Sequence, residues 1–281
     1  MDLIQQLKDK VKGAQKRIAL PEATDVRVLQ AAAQITKEGF AVPVLVGNEA
    51  DIKAAAAKEG VNIDGIEIIS PENFDRFQEG VDKFVELRAK KGMTPEKAAE
   101  TLKNDLFLGA MLVRLGVVDG MVAGSASPTA NVLRSALQVI GTKPGSKTVS
   151  ACFFMFTKTP QYGEDGVVVF ADGGVIPNPT AEQLSDIAVS SVEKARKVLG
   201  FEDPRVAFLS FSTKGSASSP EVDKVIEAVN ITKERGVDFK FDGELQLDAA
   251  VEATVAEKKA PGSEVAGKAN IFILPDLGAA N

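Results

Sequence analysis

Histidine is absent from the 281-residue chain, and cysteine occurs once, as Cys152. Without an imidazole, no Ser-His-Asp or Cys-His nucleophile system can be assembled, because nothing stands ready to take the nucleophile's proton. The usual zinc sets of Cys and His are excluded as well, and a single thiol excludes an internal disulfide. Acid-base chemistry is left to carboxylates, lysine, tyrosine or the one cysteine. No apolar run approaches the roughly 20 residues of a membrane-spanning helix, so no membrane association is expected. Basic charge is in deficit, with 33 Lys and Arg against 39 Asp and Glu and a net charge of -6. That balance argues against broad nucleic-acid binding, which rests on a dominant basic surface. The opening Met-Asp-Leu-Ile-Gln-Gln has neither the charged nor the apolar region of a signal peptide, and a cytoplasmic location is expected.

Two familiar phosphate motifs are also missing. No Gly-x-Gly-x-x-Gly turn follows any predicted strand, which argues against a dehydrogenase. The run Gly145-Ser-Lys-Thr148 resembles a P-loop only superficially, because Ser146 stands where a glycine should directly precede the lysine.

What is present reads as a soluble globular protein, 44% hydrophobic and 26% charged. Strand-like and helix-like segments alternate, which predicts an α/β fold with largely parallel sheets flanked by helices. The length exceeds what one core usually supports, so two α/β domains are expected. The turn-forming Thr142-Lys-Pro-Gly145 puts their boundary at 1–144 and 145–281, with an active-site cleft between the two.

In the first half, helices are predicted over residues 1–16, from the Pro21–Asp25 segment to Gly39, over Glu49–Lys58, from Pro71 to Arg88, and from Thr94-Pro95 to near Gly116. Strands are expected at Arg17–Leu20, Val42–Val46, Ile66–Ile69 and Val117–Ala123. In the second half, Val149–Thr157 and Val167–Ala171 read as an antiparallel hairpin whose loop holds Tyr162. Thr180 and Gln183 form a capping box ahead of a helix, and Arg205–Ser210 is a buried-type strand. Asp242–Asp248 reads as a turn with three carboxylates that leads into a helix to about Lys259, and Asn270–Leu274 as the last strand.

Two loops carry the candidate chemistry. Gly124–Ser127 follows a strand and precedes a helix, with Ser127 as the expected N-cap and Pro128 at the first helical position. Such a loop exposes backbone N–H groups at the positive end of a helix dipole and suits a phosphate or carboxylate. Asn131 and Arg134 follow on one face of the helix. Read without the anion, the same stretch is a plain connection with a solvated arginine. The second loop, Phe211–Pro220, surrounds Lys214 with hydroxyls, a composition that suits a phosphate or an ordinary surface linker. Arg88, Lys90 and Lys91 form a small basic cluster.

Six segments in register resemble the phosphate acetyltransferase (phosphotransacetylase) family. They are Val118-Asp-Gly-Met-Val-Ala-Gly124, Thr129-Ala-Asn-Val-Leu-Arg134, Pro177-Asn-Pro-Thr-Ala-Glu-Gln183, Leu209-Ser-Phe-Ser-Thr-Lys-Gly-Ser-Ala217, Asp242-Gly-Glu-Leu-Gln246 and Lys268-Ala-Asn-Ile-Phe-Ile-Leu-Pro-Asp276. The resemblance implies a homodimeric cytoplasmic enzyme of acetate metabolism. It would transfer acetyl reversibly between acetyl phosphate and coenzyme A, giving acetyl-CoA and inorganic phosphate, with coenzyme A as substrate and neither metal nor bound cofactor. By resemblance Arg134 stabilises the active-site anion, Arg88 belongs to coenzyme A binding, and Ser127, Thr129, Asn131, Ser212, Thr213 and Lys214 line the substrate site.

Two departures accompany the resemblance. Many relatives carry histidine where this chain has Ser127-Pro128. The family also continues beyond the Pro275-Asp-Leu277 stretch with a Ser-Arg pair and the carboxylate assigned as base, for which this sequence has no positions. The 281-residue chain by itself is therefore expected to be weakly active or inactive, with apolar first-domain surface left exposed. Alternatives are a phosphate butyryltransferase-like acyltransferase and a non-catalytic acetyl-CoA-sensing domain of the kind attached to some malic enzymes.

Overall fold

The computed structural model describes residues 3–281, the Leu3 side chain excepted. The chain divides into two compact units, Met1–Gly141 and Thr142–Asn281. Among the described residues no helix is long and apolar enough to cross a membrane.

The first unit begins with α1 (Leu3–Val11), shorter than the expected 1–16, of which residues 1 and 2 lie outside the described residues. Its sheet holds β1 (Arg17–Leu20), β2 (Val42–Val46), β3 (Glu67–Ile69) and β4 (Gly120–Met121), all parallel, in the order β3-β2-β1-β4. Between the first three strands run α2 (Val26–Glu38), capped by Asp25 and stopped by left-handed Gly39, and α3 (Glu49–Glu59), capped by the Asn48 side chain. Then come α4 (Phe77–Arg88), α5 (Pro95–Leu102), α6 (Asp105–Arg114) and, after β4, α7 (Thr129–Ser135). The last of these widens into a π-helical turn, Ala136–Ile140, that ends at Gly141.

Alternating strand residues face opposite layers, as a pleated strand requires. Ala19, Val44 and Val46 pack toward Leu108 and Leu112, whereas Leu20 and Leu45 pack toward Leu29, Ala32, Ile52 and Ala56. Each large side chain buried in this way contributes about 1.5–3 kcal/mol of transfer free energy.

Four first-unit expectations need correction. The helix predicted from Pro71 starts at Phe77, because Ser70 and Asn73 hold the intervening residues in turns: Asn73 Oδ1 accepts from Ser70 N at 2.7 Å, and Ser70 Oγ from Glu72 N at 3.2 Å. The helix predicted from Thr94 to Gly116 is two helices, because Asn104 caps a new one by accepting from Leu106 N and Phe107 N. The strand expected over Val117–Ala123 pairs only at Gly120–Met121. Pro128, not Ser127, is the N-cap of α7.

The second unit has β5 (Cys152–Phe156), β6 (Val167–Ala171), β7 (Arg205–Leu209), β8 (Lys240–Leu245) and β9 (Ile271–Ile273), in the order β5-β6-β9-β7-β8. The predicted hairpin of β5 and β6 is antiparallel, and the other pairings are parallel. Helices α8 (Ala181–Lys194), with its Thr180–Gln183 capping box, and α9 (Pro220–Glu234) cover one face. The other face is packed by α10 (Leu247–Val251), α11 (Ala253–Lys259) and the Val265–Ala269 segment. A short α12 (Leu277–Ala280), capped by Asp276, follows. The carboxylate-rich Asp242–Glu244 stretch is thus part of a strand rather than a turn, because β8 pairs with β7 from Arg205 opposite Lys240 to Leu209 opposite Leu245 with a bulge on the way, which turns Phe241 to the α8–α9 face and Leu245 to the other one.

Candidate functional site

In the first unit, the loop between β4 and α7 does not leave its backbone N–H groups open. The Glu22 carboxylate, on the turn after β1, accepts all four. Oε2 accepts from Gly124 N at 2.8 Å and Ser125 N at 2.9 Å, and Oε1 from Ala126 N at 3.2 Å and Ser127 N at 2.5 Å. The Ser125 hydroxyl adds a fifth donor at 3.0 Å. Partial burial pushes this carboxyl's pKa up, but hydrogen bonds from Ser127, Gly124 and Ser125 outweigh it and bring it down to about 2. Arg27 ties the same two loops a second time, donating to Ser125 O at 2.5 Å while paired with Asp25.

The expected exposed anion loop is therefore occupied by the protein itself. The loop sequence could not reveal this, because the occupant lies about a hundred residues earlier in the chain. What α7 leaves to solvent are the side chains of Thr129, Asn131 and Arg134, all exposed. Arg134 makes no side-chain hydrogen bond or ion pair among the described residues. Arg88, at the end of α4, is half-buried, and its Nε is buried with no hydrogen-bond partner among the described residues. An orphaned guanidinium N–H is costly unless something supplies an acceptor. Lys90 and Lys91 follow it, exposed.

In the second unit, Ser212, Thr213 and Lys214 lie on the loop leaving β7, beside the end of β8. Ser212 is fully buried, and its Oγ donates at 2.9 Å to Glu244 Oε1, itself only 3% exposed. The same carboxylate oxygen accepts from Gly215 N at 2.7 Å. Gln246 N donates at 2.9 Å to Thr213 Oγ1. Lys214 is exposed, adopts a left-handed backbone (φ 49°), and its ammonium pairs with Asp242 and donates to Gly243 O. Ser212 and Thr213 thus shape the loop from inside, and Lys214 alone of the three presents charge at its surface. Glu244 and Asp242 were visible in the sequence as carboxylates, but their partnership with this loop needed β8. No clean alternation marked this strand in the sequence, because the bulge in β8 turns Phe241 and Leu245 to opposite faces of the sheet.

Beside this loop, at the C-terminal ends of β7 and β9, a mostly apolar cavity of about 310 Å³ is lined by Leu209, Phe211, Leu247 and Leu274, with Ser210 and the carboxylates of Glu221 and Asp276 as polar groups. A larger depression of about 690 Å³ between α3 and the Val61–Ile66 turn shares no residue with either loop and carries no candidate side chain. Cys152 is half-buried on β5, and burial pushes its thiol pKa up, away from nucleophilic use. The Tyr162 hydroxyl donates to Glu252, and that hydrogen bond raises its pKa. Among the described residues, no group of three or more Cys, Asp or Glu is placed to hold a metal ion.

A sequence profile described as phosphate acetyl/butaryl transferase matches residues 2–281. The chain belongs to this family. Phosphate acetyltransferase of Thermoanaerobacterium thermosaccharolyticum is 50% identical over 281 residues, which is all of this chain and 85% of that protein. Among solved structures, a phosphotransacetylase from Streptococcus pyogenes is 40% identical with a TM-score of 0.91, over 99% of this chain and 83% of that one. The EutD phosphotransacetylase from Staphylococcus aureus is 42% identical with a TM-score of 0.87, over 100% and 83%. As a member of the phosphate acetyl/butaryl transferase family, the chain has the mixed α/β, largely parallel architecture expected of it, and its two candidate loops lie within the matched region.

Proposed function

We propose that the protein is a phosphate acetyltransferase, exchanging an acetyl group between acetyl phosphate and coenzyme A. The observation that carries this reading is the 50% identity, over every residue of the chain, to a protein of that name. In the forward direction the coenzyme A thiol gives up its proton to solvent, and its sulfur forms a bond to the acetyl carbon. The carbon–oxygen bond to phosphate then breaks, and inorganic phosphate departs with the electron pair.

The charge that develops sits on the carbonyl oxygen and on the leaving phosphate, so the protein's task is to present fixed cations and donors there. Arg134 is our candidate for that anion, supported by its exposure and by the lack of a side-chain partner among the described residues. Thr129 and Asn131 precede it on the same short helix as neutral donors. Arg88 is our candidate for a coenzyme A phosphate, supported by its unpartnered Nε. Planar guanidinium groups offer paired donors of fixed charge to a phosphate. Ser127 stays in the proposal as part of the loop that presents the helix, since Glu22 holds its backbone N–H and also draws its side chain. Lys214 adds positive charge at the second loop, with Ser212 and Thr213 holding that loop's shape, and the apolar cavity next to it suits an uncharged part of a substrate.

The carboxylates in these loops are already engaged: Glu22 with four N–H groups, Asp242 with Lys214 and Ser263, and Glu244 with Ser212 and Gly215. None of them is assigned as the base. The proposal extends to a cytoplasmic homodimer serving acetate metabolism, with coenzyme A and acetyl phosphate as its small-molecule partners. The assay that tests it supplies acetyl phosphate and coenzyme A to the purified full-length protein and follows acetyl-CoA. Formation of acetyl-CoA supports the reading, and its absence overturns it. Faster use of butyryl phosphate assigns the other acyl class of the family.

A further inference from the structure

The sheet order β3-β2-β1-β4 puts the loops leaving β1 and β4 side by side at one end of the first sheet. From β1 the chain passes through α2 to β2 on one side, whereas β4 on the other side leads into α7. In open α/β sheets the crevice at such a reversal is where ligands bind, outside the carboxyl ends of the strands. Here the turn after β1 sends a side chain into the loop after β4. Glu22 has a left-handed backbone (φ 64°), a conformation uncommon for a residue with a side chain, and Gly124 opposite it has φ 109°. Together they bring two carboxylate oxygens onto four successive backbone N–H groups and one hydroxyl.

We infer that Glu22 is a positioning residue: its carboxylate fills the Gly124–Ser127 loop as a built-in anion and thereby fixes the start of α7, from which Thr129, Asn131 and Arg134 are presented. The inference rests on the proposed function in one respect, that those three side chains serve the substrate. It also sharpens that reading. A substrate phosphate does not lie on the loop N–H groups, which are saturated and face a negative charge, and it must be held by side chains instead.

Three features set this apart from an ordinary loop contact. The donors converge from consecutive residues, so losing the acceptor leaves several N–H groups without a partner at once. Arg27 stands near the carboxylate but pairs with Asp25 and donates to Ser125 O, which leaves the Glu22 oxygens to the loop N–H groups. The helix that follows is only seven residues long before its π-helical turn, so it has little internal rigidity to keep Arg134 in place if the loop shifts.

The experiment compares Glu22→Gln and Glu22→Ala in the full-length protein, with and without added sodium formate. Glu22→Gln keeps the shape but turns an amide NH₂ toward N–H donors, and it is expected to lower kcat/KM for acetyl phosphate by about tenfold or more, since charge-assisted hydrogen bonds are lost. Glu22→Ala opens the loop. Formate is expected to enter it, shift the backbone amide resonances of Gly124, Ser125, Ala126 and Ser127 saturably, and restore part of the activity, while leaving the parent protein unaffected. Unchanged kinetics in both variants of an active protein overturn the inference, as do amide resonances that ignore formate in a folded Glu22→Ala. If Glu22→Ala does not fold, the kinetics and loop amides of Glu22→Gln decide in the same way. If the parent makes no acetyl-CoA, the proposed function fails, and the formate titration still decides whether the loop is built around an anion.

Discussion

The carboxylate of Glu22 accepts the backbone N–H of Ser127 at 2.5 Å across 105 residues of sequence. With the three neighbouring N–H groups it joins the turn after β1 to the loop after β4, on strands that pair at Ile18–Gly120 and Ala19–Met121. The contact fastens the ends of two adjacent strands, and it does so with an ionised group.

Stability should therefore depend on pH through Glu22. Its folded-state pKa is lowered from 4.5 to about 2. A carboxyl shifted down contributes stability that is whole above the unfolded value and is lost as pH falls toward the folded one. Between about pH 5 and about pH 3 the parent protein should lose roughly 1–2 kcal/mol more than Glu22→Gln, allowing for solvent screening of a partly exposed group. Urea unfolding followed by circular dichroism at several pH values measures the gap. A difference that stays constant through that range contradicts the assignment.

Glu244 makes a different prediction, because it is buried and its partners are neutral. Glu244→Ala removes the acceptor for Ser212 Oγ and Gly215 N, and should cost about 3 kcal/mol in unfolding free energy. Glu244→Gln, which retains a carbonyl oxygen, should cost less than half of that. An alanine variant within about 0.5 kcal/mol of the parent would show that the loop after β7 does not depend on this carboxylate.

Arg134 should separate function from stability. It is exposed and holds no partner among the described residues, so Arg134→Ala should leave the unfolding free energy within about 0.5 kcal/mol of the parent. On the proposed role, kcat/KM for acetyl phosphate should fall about 100-fold, as for the loss of a strong electrostatic contact to a developing anion. Arg134→Lys should recover only part of it, because an ammonium lacks the paired donors. Equal kcat/KM in parent and alanine variant would remove Arg134 from the site.

Much of this fold was legible because its signals are local. The Thr180–Gln183 capping box, the Pro21–Asp25 segment that starts α2 and the left-handed Gly39 that stops it lie within a few residues of the helix ends they define. The hairpin of β5 and β6 was legible for the same reason. The errors arose where a side chain competed with the pattern. Asn104 divides what periodicity read as one helix, Ser70 and Asn73 delay the start of α4, and a bulge in β8 breaks the alternation that would have marked it as a strand. In the candidate site, Arg134 and the hydroxyl-rich loop at Ser212 stood out by composition and by the family resemblance. Glu22 did not, because an anion-binding loop and a loop that already holds an anion have the same local sequence, and only the pairing of β1 with β4 tells them apart.

The central claim is acetyl transfer between phosphate and a thiol, and a product balance tests it most directly. Purified full-length protein given acetyl phosphate and coenzyme A should yield acetyl-CoA and inorganic phosphate in equal amounts, with acetyl phosphate used faster than butyryl phosphate. Release of phosphate without matching thioester, or no turnover of acetyl phosphate at all, would contradict it.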